Sequence, residues 1–503
     1  MTIDDLKTFV SQKFNVLCFV DLADLRNTHR AIFDLLISVH KDRFENNDRI
    51  ILYSAYKPEQ QFLNHIHRAI SRVDISTPFI LIITPYSLQP ELKVANDRYG
   101  FGHEPMQSLQ VQIEYSKPFG NTNFYNVETL CAMPFSQAQV STNGNVKPCC
   151  RFNESFGNIY HESLDKIFKG KDFENLRNQL LSGQKPSGCS ICWQSESQGT
   201  SSLRQLSMQK YGDLLDRGWI DNVQVRDLTW SSSSLCNFKC RICDPRSSTQ
   251  IASEEIKFAP SENEKNKLRT LIKETSNLQQ SSNFIESILE LRHLNFLHIL
   301  GGEPFLYPKF DTIIDRLIDE GISNEITLEV NTNCSIYPES VITKIVHYFQ
   351  AAEFLLSVDN VNERFEIERG GTWSVIYENI KKFASLRSDT VKVKLAATIN
   401  LQNILYLDDI IDLSHETNLD ILWWYLEDPT FLCIDYATEQ AKKLIVQKYA
   451  NHNDKELRQL SNRVLNSPGS DGLQFLEHCK KLDIRRNQCF SDSHAEIYRA
   501  MGG

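Results

Sequence analysis

Between residues 216 and 430, short apolar stretches alternate with amphipathic ones, and this rhythm narrows the possible folds more than any other feature of the chain. The strand candidates are VQVRDLTW, FLHIL, ITLEV, FLLSV, VKVKLAATI and ILWWYL. Between them, Phe310, Ile313, Ile314, Leu317 and Ile318 recur at helical spacing, and so do Val375, Ile376, Ile380, Phe383 and Leu386. One connection, Pro260 to Leu291, is long and polar. Strands joined by helical crossovers pair in parallel. Six such units predict an α/β fold, a partial (β/α)6 barrel, with its chemistry where the strands end and the loops begin.

The flanking regions differ in character. Residues 1–115 show a βαβ rhythm, with strands in NVLCFVDL, DRIILYSAY and FILIITPY and helices over Thr28–Lys41 and Pro58–Ser71. This small α/β domain has no glycine-rich phosphate loop. Residues 116–215 are rich in Gly, Asn, Pro and Cys, with one helix expected over Leu164–Leu180 and a Ser- and Gln-rich linker, QSESQGTSS. Residues 431–503 read as a polar helical tail.

Composition removes several classes of function. The formal net charge of -10 is spread along the chain, which argues against nucleic acid or an anionic membrane as the main partner. The N-terminus MTIDDLKTFV is acidic where a signal peptide is basic, and the longest apolar runs are too short to span a bilayer. A soluble, cytoplasmic protein is expected. There are thirteen cysteines, eight of them between Cys131 and Cys243, and in a reducing compartment this favours metal or catalytic use over disulfides.

The first cysteine group, LCNFKCRICDP, holds Cys236, Cys240 and Cys243 as C-x3-C-x2-C directly after the first barrel strand. A structural zinc site needs four protein ligands, and no fourth Cys or His lies nearby. An iron–sulfur cube on three thiolates keeps one iron open. After the second strand comes HILGGEPFL, in which Gly301 and Gly302 have no Cβ to keep a ligand from the backbone, Glu303 adds a carboxylate and Pro304 stiffens the turn.

This pairing, over residues 220–430, resembles the radical S-adenosylmethionine (SAM) superfamily. The resemblance implies a [4Fe–4S] cluster on Cys236, Cys240 and Cys243, with SAM on the fourth iron and reductive cleavage to a 5′-deoxyadenosyl radical. It implies cofactor contacts from Gly301, Gly302 and Glu303, from Asn331 in EVNTN, and from Ser357 and Asp359 in LLSVDN, for which helix capping is the plain alternative. It makes Arg369 in ERGG a partner for the cofactor carboxylate. A flavodoxin or ferredoxin is the expected electron donor.

The second group lies upstream. Cys131, Gly144 and Cys149 stand as C-x12-G-x4-C, with Cys189 and Cys192 following as C-x2-C. Two cysteine pairs around a hairpin read as a zinc ribbon. The segment also resembles the SPASM/twitch module, which carries auxiliary [4Fe–4S] clusters. Here the module precedes the barrel, and the later cysteines of the full pattern are missing. One auxiliary cluster on Cys131, Cys149, Cys189 and Cys192 is therefore implied, with Cys150 a rival to Cys149.

Other residues are weighed more plainly. Cys334 reads as a small buried thiol, and Trp423, Trp424 and Tyr425 as core. Glu427 and Asp428 fall on the catalytic face, as substrate contacts or as solvated loop carboxylates. Cys433, Cys479 and Cys489 have no shared spacing. The leading expectation is a radical SAM enzyme acting on a peptide or protein. Alternatives are the same chemistry on a sugar, amine or nucleoside, and a non-catalytic zinc-ribbon adaptor.

Overall fold

The computed structural model describes residues 128–503 except 198–200, 215–219, 221 and 277–280, and within residues 1–127 it describes four strands. The chain divides into two compact units, Met1–Phe124 and Tyr125–Gly503. In the first, β1 (Val16–Phe19), β2 (Arg49–Tyr53), β3 (Phe79–Ile83) and β4 (Val111–Gln112) form a parallel sheet in the order β1-β3-β2-β4. The helices expected over Thr28–Lys41 and Pro58–Ser71 lie outside the described residues.

The second unit is built on one nine-stranded sheet, in the order β13-β12-β11-β10-β9-β8-β5-β6-β7. Its centre is β8 (Asp227–Ser231), β9 (Phe296–Leu300), β10 (Thr327–Thr332), β11 (Ala351–Ser357), β12 (Val391–Ile399) and β13 (Asp420–Tyr425), all parallel. These are the six expected strands. The cysteine-rich region extends the same sheet: β5 (Gln137–Val140) pairs in parallel with β8, and β6 (Asn145–Lys147) and β7 (Gly157–Asn158) add antiparallel. Residues on both sides of position 215 thus share one sheet.

The sheet faces differ as their period-2 patterning requires. On one face Leu228, Trp230, Leu297, Ile299, Leu328, Val330, Phe354, Leu356, Val393 and Leu395 are buried in a single core. Helices cover this face. Examples are α8 (Phe310–Asp319), which buries Phe310, Ile313, Ile314 and Leu317, α9 (Glu339–Tyr348), α10 (Asn362–Arg369) and α11 (Trp373–Ala384). On the other face Thr229, His298, Glu329, Glu353 and Lys394 are half-buried and polar.

The ends of this sheet meet. Arg151, just past β6, forms an ion pair with Glu427, just past β13. Seven strand spacings separate β6 from β13, about 34 Å in a flat sheet, which no such side-chain pair can bridge. The sheet is therefore curled, with its polar face inside and its helices outside.

Local details depart from the sequence reading. The helix expected over Leu164–Leu180 is two, α1 (Leu164–Phe168) and α2 (Lys171–Leu181), because Gly170 stands between them in extended backbone. They are followed by α3 (Ser190–Ser197) and α4 (Leu203–Leu214), on either side of 198–200. The long Pro260–Leu291 connection follows α5 (Thr249–Phe258) and contains α6 (Glu262–Thr275) and α7 (Ser281–Leu289). Val375 is 50% exposed, because the buried stripe of α11 begins one residue later at Ile376. The sheet ends in α12 (Leu407–Thr417) and β13, and the tail contains α13 (Glu439–Tyr449), α14 (Lys455–Leu465), α15 (Leu473–Arg486), α16 (Phe490–Ser493) and α17 (Ala495–Ala500). Among the described residues no helix is long and apolar enough to cross a membrane.

Candidate iron–sulfur and SAM site

The cysteine triplet occupies the irregular loop between β8 and α5. Two devices close its ends. Ser248 caps α5 by accepting from Ile251 N at 3.3 Å and donates its own hydroxyl to Phe238 O at 2.7 Å. At the other end the GGEP loop is sewn to the cysteine loop, with Gly302 N donating to Ser233 O and Glu303 N to Leu235 O, each at 2.7 Å.

This contact changes the reason for Gly302. A Cβ there would stand 2.3 Å from Leu235 O, and one on Gly301 (φ +147°) would stand 2.6 Å from Ser233 O. Both glycines admit the backbone of the cysteine loop, where the sequence reading had them admitting a ligand. Glu303 is fully buried and ties the strand ends together. Its Oε1 accepts from Thr332 Oγ1 at 2.9 Å and Phe305 N at 3.2 Å, and its Oε2 accepts from Asn333 N at 2.6 Å. Burial raises its carboxyl to about 7.

The three thiols are near one another. Cys240 and Cys243 neighbour each other, and Cys243, with help from Arg369, holds Cys240 below the usual thiol range. Burial and the neighbouring Cys240 push Cys236 up to about 11. Cys236 Sγ accepts from Phe238 N at 3.4 Å and from Asn333 Nδ2 at 3.8 Å. Beside Cys240 and Cys243 is Arg369, paired with Asp359, its buried Nε without a partner among the described residues. Asp359 is itself anchored, Oδ1 accepting from Thr398 N at 2.7 Å and its carbonyl from Asn403 Nδ2 at 2.9 Å.

Of the candidate cofactor contacts, Gly301, Gly302, Glu303, Asp359 and Arg369 thus gather around the triplet. Asn331 lies lower on the inner face, its Oδ1 2.7 Å from His298 Nε2. Ser357 ends β11 half-buried, in register with Ala396. Cys334 is fully buried. In EVNTN it is Asn333, two residues beyond Asn331 and just past the end of β10, that reaches the triplet. One residue escapes the sequence reading. Gln402 is fully buried with both amide atoms unpartnered among the described residues, and no sequence signal marks it.

The upstream cysteines converge separately. Cys131, Cys149, Cys189 and Cys192 line one pocket together with Met133, Arg151, Phe152, Gly188, Leu203 and Arg204. Cys149 follows β6, Cys189 ends a 3-10 turn and Cys192 lies in the first turn of α3. Cys150 is exposed and is not among the lining residues. Cys131 Sγ lies 3.5 Å from Ser207 Oγ, and burial pushes Cys131, Cys149 and Cys189 upward. Arg204 closes the pocket's edge, donating to Leu130 O and to Glu196, each at 2.8 Å. Among the described residues no group of three or more His, Cys, Asp and Glu side chains is set to hold a single metal ion.

Comparison with known proteins supplies the family. Residues 230–413 match the model of the radical SAM superfamily, and residues 131–193 match that of an iron–sulfur cluster-binding domain, SPASM. No curated protein matches the chain. Among solved structures, SuiB of Streptococcus suis bound to precursor peptide SuiA is 14% identical, with 56% of this chain and 58% of that one covered and a TM-score of 0.29. anSMEcpe with bound AdoMet is 14% identical over 53% and 65% of the two chains, TM-score 0.32. TYW1 with a lysine–pyruvate adduct is 16% identical over 44% and 70%, TM-score 0.24. The chain thus spans less than two thirds of the length of SuiB or anSMEcpe. A radical SAM domain implies a [4Fe–4S] cluster with SAM, and a SPASM domain implies auxiliary iron–sulfur. The chain thus carries a radical SAM domain over residues 230–413 and, ahead of it, a SPASM-type iron–sulfur domain over residues 131–193.

Proposed function

We propose that the chain is a radical SAM enzyme in which Cys236, Cys240 and Cys243 hold the SAM-binding [4Fe–4S] cluster. When bound and reduced, cluster and SAM supply a 5′-deoxyadenosyl radical that abstracts hydrogen from substrate. The observation that carries this reading is the donor set. Three thiols share one loop with, among the described residues, no fourth protein ligand, beside a buried guanidinium whose Nε has no partner there. Arg369, held in place by Asp359, offers that edge to a carboxylate. The amide of Asn333 holds Cys236 Sγ from the strand side. The GGEP turn and the helices exclude water from the far side of the loop.

Cys131, Cys149, Cys189 and Cys192 hold a second, coordinatively closed cluster in this reading. The support is their shared pocket, which leaves Cys150 outside. The substrate proposed is a peptide or protein segment. Its support is β13, an edge strand of the curled sheet, where Trp424 is 53% exposed and in register with Thr398 of the inner face. A cytoplasmic flavodoxin or ferredoxin would supply the electrons.

The test is the triple variant Cys236→Ala/Cys240→Ala/Cys243→Ala. Wild-type chain is expected to hold about eight irons and the variant about four, with 5′-deoxyadenosine production abolished. Undiminished production by the variant overturns the radical assignment. Stoichiometric zinc in the variant, with no reducible cluster by electron paramagnetic resonance, overturns the auxiliary one.

A further inference from the structure

Two residues of the cysteine loop that ligate nothing are bonded by a segment far away in sequence. Arg241, between Cys240 and Cys243, is 1% exposed. Its Nη2 pairs with Asp483 and donates to Gln488 Oε1 at 3.0 Å. Its carbonyl oxygen lies 3.0 Å from His478 Nε2, and its guanidinium stands over the Phe490 ring at 5.2 Å. Lys239 O accepts from Arg486 at 2.7 Å, and Arg486 also grips Glu254 of α5, the helix that leaves the loop.

The same segment reaches the other side of the site. Arg241 N donates to Glu368 O at 2.7 Å, and the Glu368 carboxylate lies 2.8 Å from His494 Nε2. Glu368 precedes Arg369, so the two walls beside Cys240 and Cys243 are both fastened to residues 478–494. A guanidinium is retained at such depth only when it is paired and hydrogen-bonded. The loop has no strand or helix of its own between Ser231 and Thr249 to hold three thiolates against their mutual repulsion.

We propose that the C-terminal segment from α15 onward is a brace for the cysteine loop, with Arg241 and Asp483 as positioning residues. It sets how firmly the barrel cluster is retained, while the auxiliary site stands outside its reach. The proposal rests on the reading that the triplet holds a cluster. The triplet needs such a fastening because its cluster has one fewer protein ligand than a closed site.

The experiment measures iron release to a ferrous chelator from anaerobically reconstituted full-length protein. Asp483→Ala, Arg486→Gln and the conservative Asp483→Glu are compared with wild type, and Cys236→Ala/Cys240→Ala/Cys243→Ala identifies the auxiliary phase. Triplet-dependent iron should leave Asp483→Ala about tenfold faster, as for loss of other groups supporting a metal ligand, and faster from Arg486→Gln. The auxiliary phase should be unchanged, and Asp483→Glu should restore slow release. Triplet-dependent iron that both variants release at the wild-type rate refutes the brace alone, as does equal acceleration of both phases or failure of Asp483→Glu to rescue. Absence of triplet-dependent iron from wild type refutes the site reading and the brace with it.

Discussion

Gly302 shows how a single position can be recognised for one reason and used for another. GGEP stands out in the sequence, and the natural reading is a turn open to a ligand. In the folded chain its missing Cβ makes room for Leu235 O, so the glycine joins two loops. Gly302→Ala is therefore expected to displace the cysteine loop and cost triplet-dependent iron as well as SAM binding. A variant that bound SAM poorly with a full iron count would show that the glycine serves the cofactor directly. Arg369 and Asp359 were legible as residue types near the site. Their pairing, and the free Nε it leaves, was not, because it depends on the closing of β11 against β12.

At the scale of elements, each of the six barrel strands was readable, since alternation and apolar runs are local properties. What holds them to their helices was not. Trp230 of β8 is fully buried, its ring stacked on Phe284 of α7 at 4.0 Å and edge-on to Tyr307 at 5.6 Å. Trp230→Ala is expected to cost about 3–5 kcal/mol in chemical unfolding. The indole Nε1 has no partner among the described residues, so Trp230→Phe loses no hydrogen bond and should cost much less. Equal losses for the two would assign the stability to the full breadth of the indole, which a phenyl ring cannot fill. The split between α1 and α2, and the helices inside the polar Pro260–Leu291 connection, were missed for the opposite reason. Gly170 interrupts a continuous apolar stripe, and α6 buries little more than Thr275, so its pattern is that of a solvated helix.

At the scale of the whole molecule, the curled sheet encloses charge. Glu329 on its inner face lies in register with His298 and Glu353, its side chain only 16% exposed. Burial, and then the charges of Glu353 and Asp227, raise its carboxyl to about 7. The folded chain therefore keeps this proton where the unfolded chain, near 4.5, has lost it. Its contribution to stability falls as pH rises from about 4.5 to about 7. Glu329→Gln removes that penalty, so the variant should be more stable than wild type at pH 8, by at most about 3 kcal/mol, and show no such gain at pH 4. Parallel unfolding free energies across this range would place the ionised carboxylate in a compensated site. Sequence alone determined the succession of strands along the chain, the cysteine triplet with no fourth cysteine or histidine next to it, and the four upstream cysteines, because periodicity and residue spacing are written residue by residue. Tertiary structure alone decided that the SPASM-type strands continue the barrel sheet, that Arg151 meets Glu427 across its ends, and that the helical tail grips Arg241. Those contacts join residues tens to hundreds of positions apart, and burial and hydrogen bonding between distant segments leave no local pattern to read.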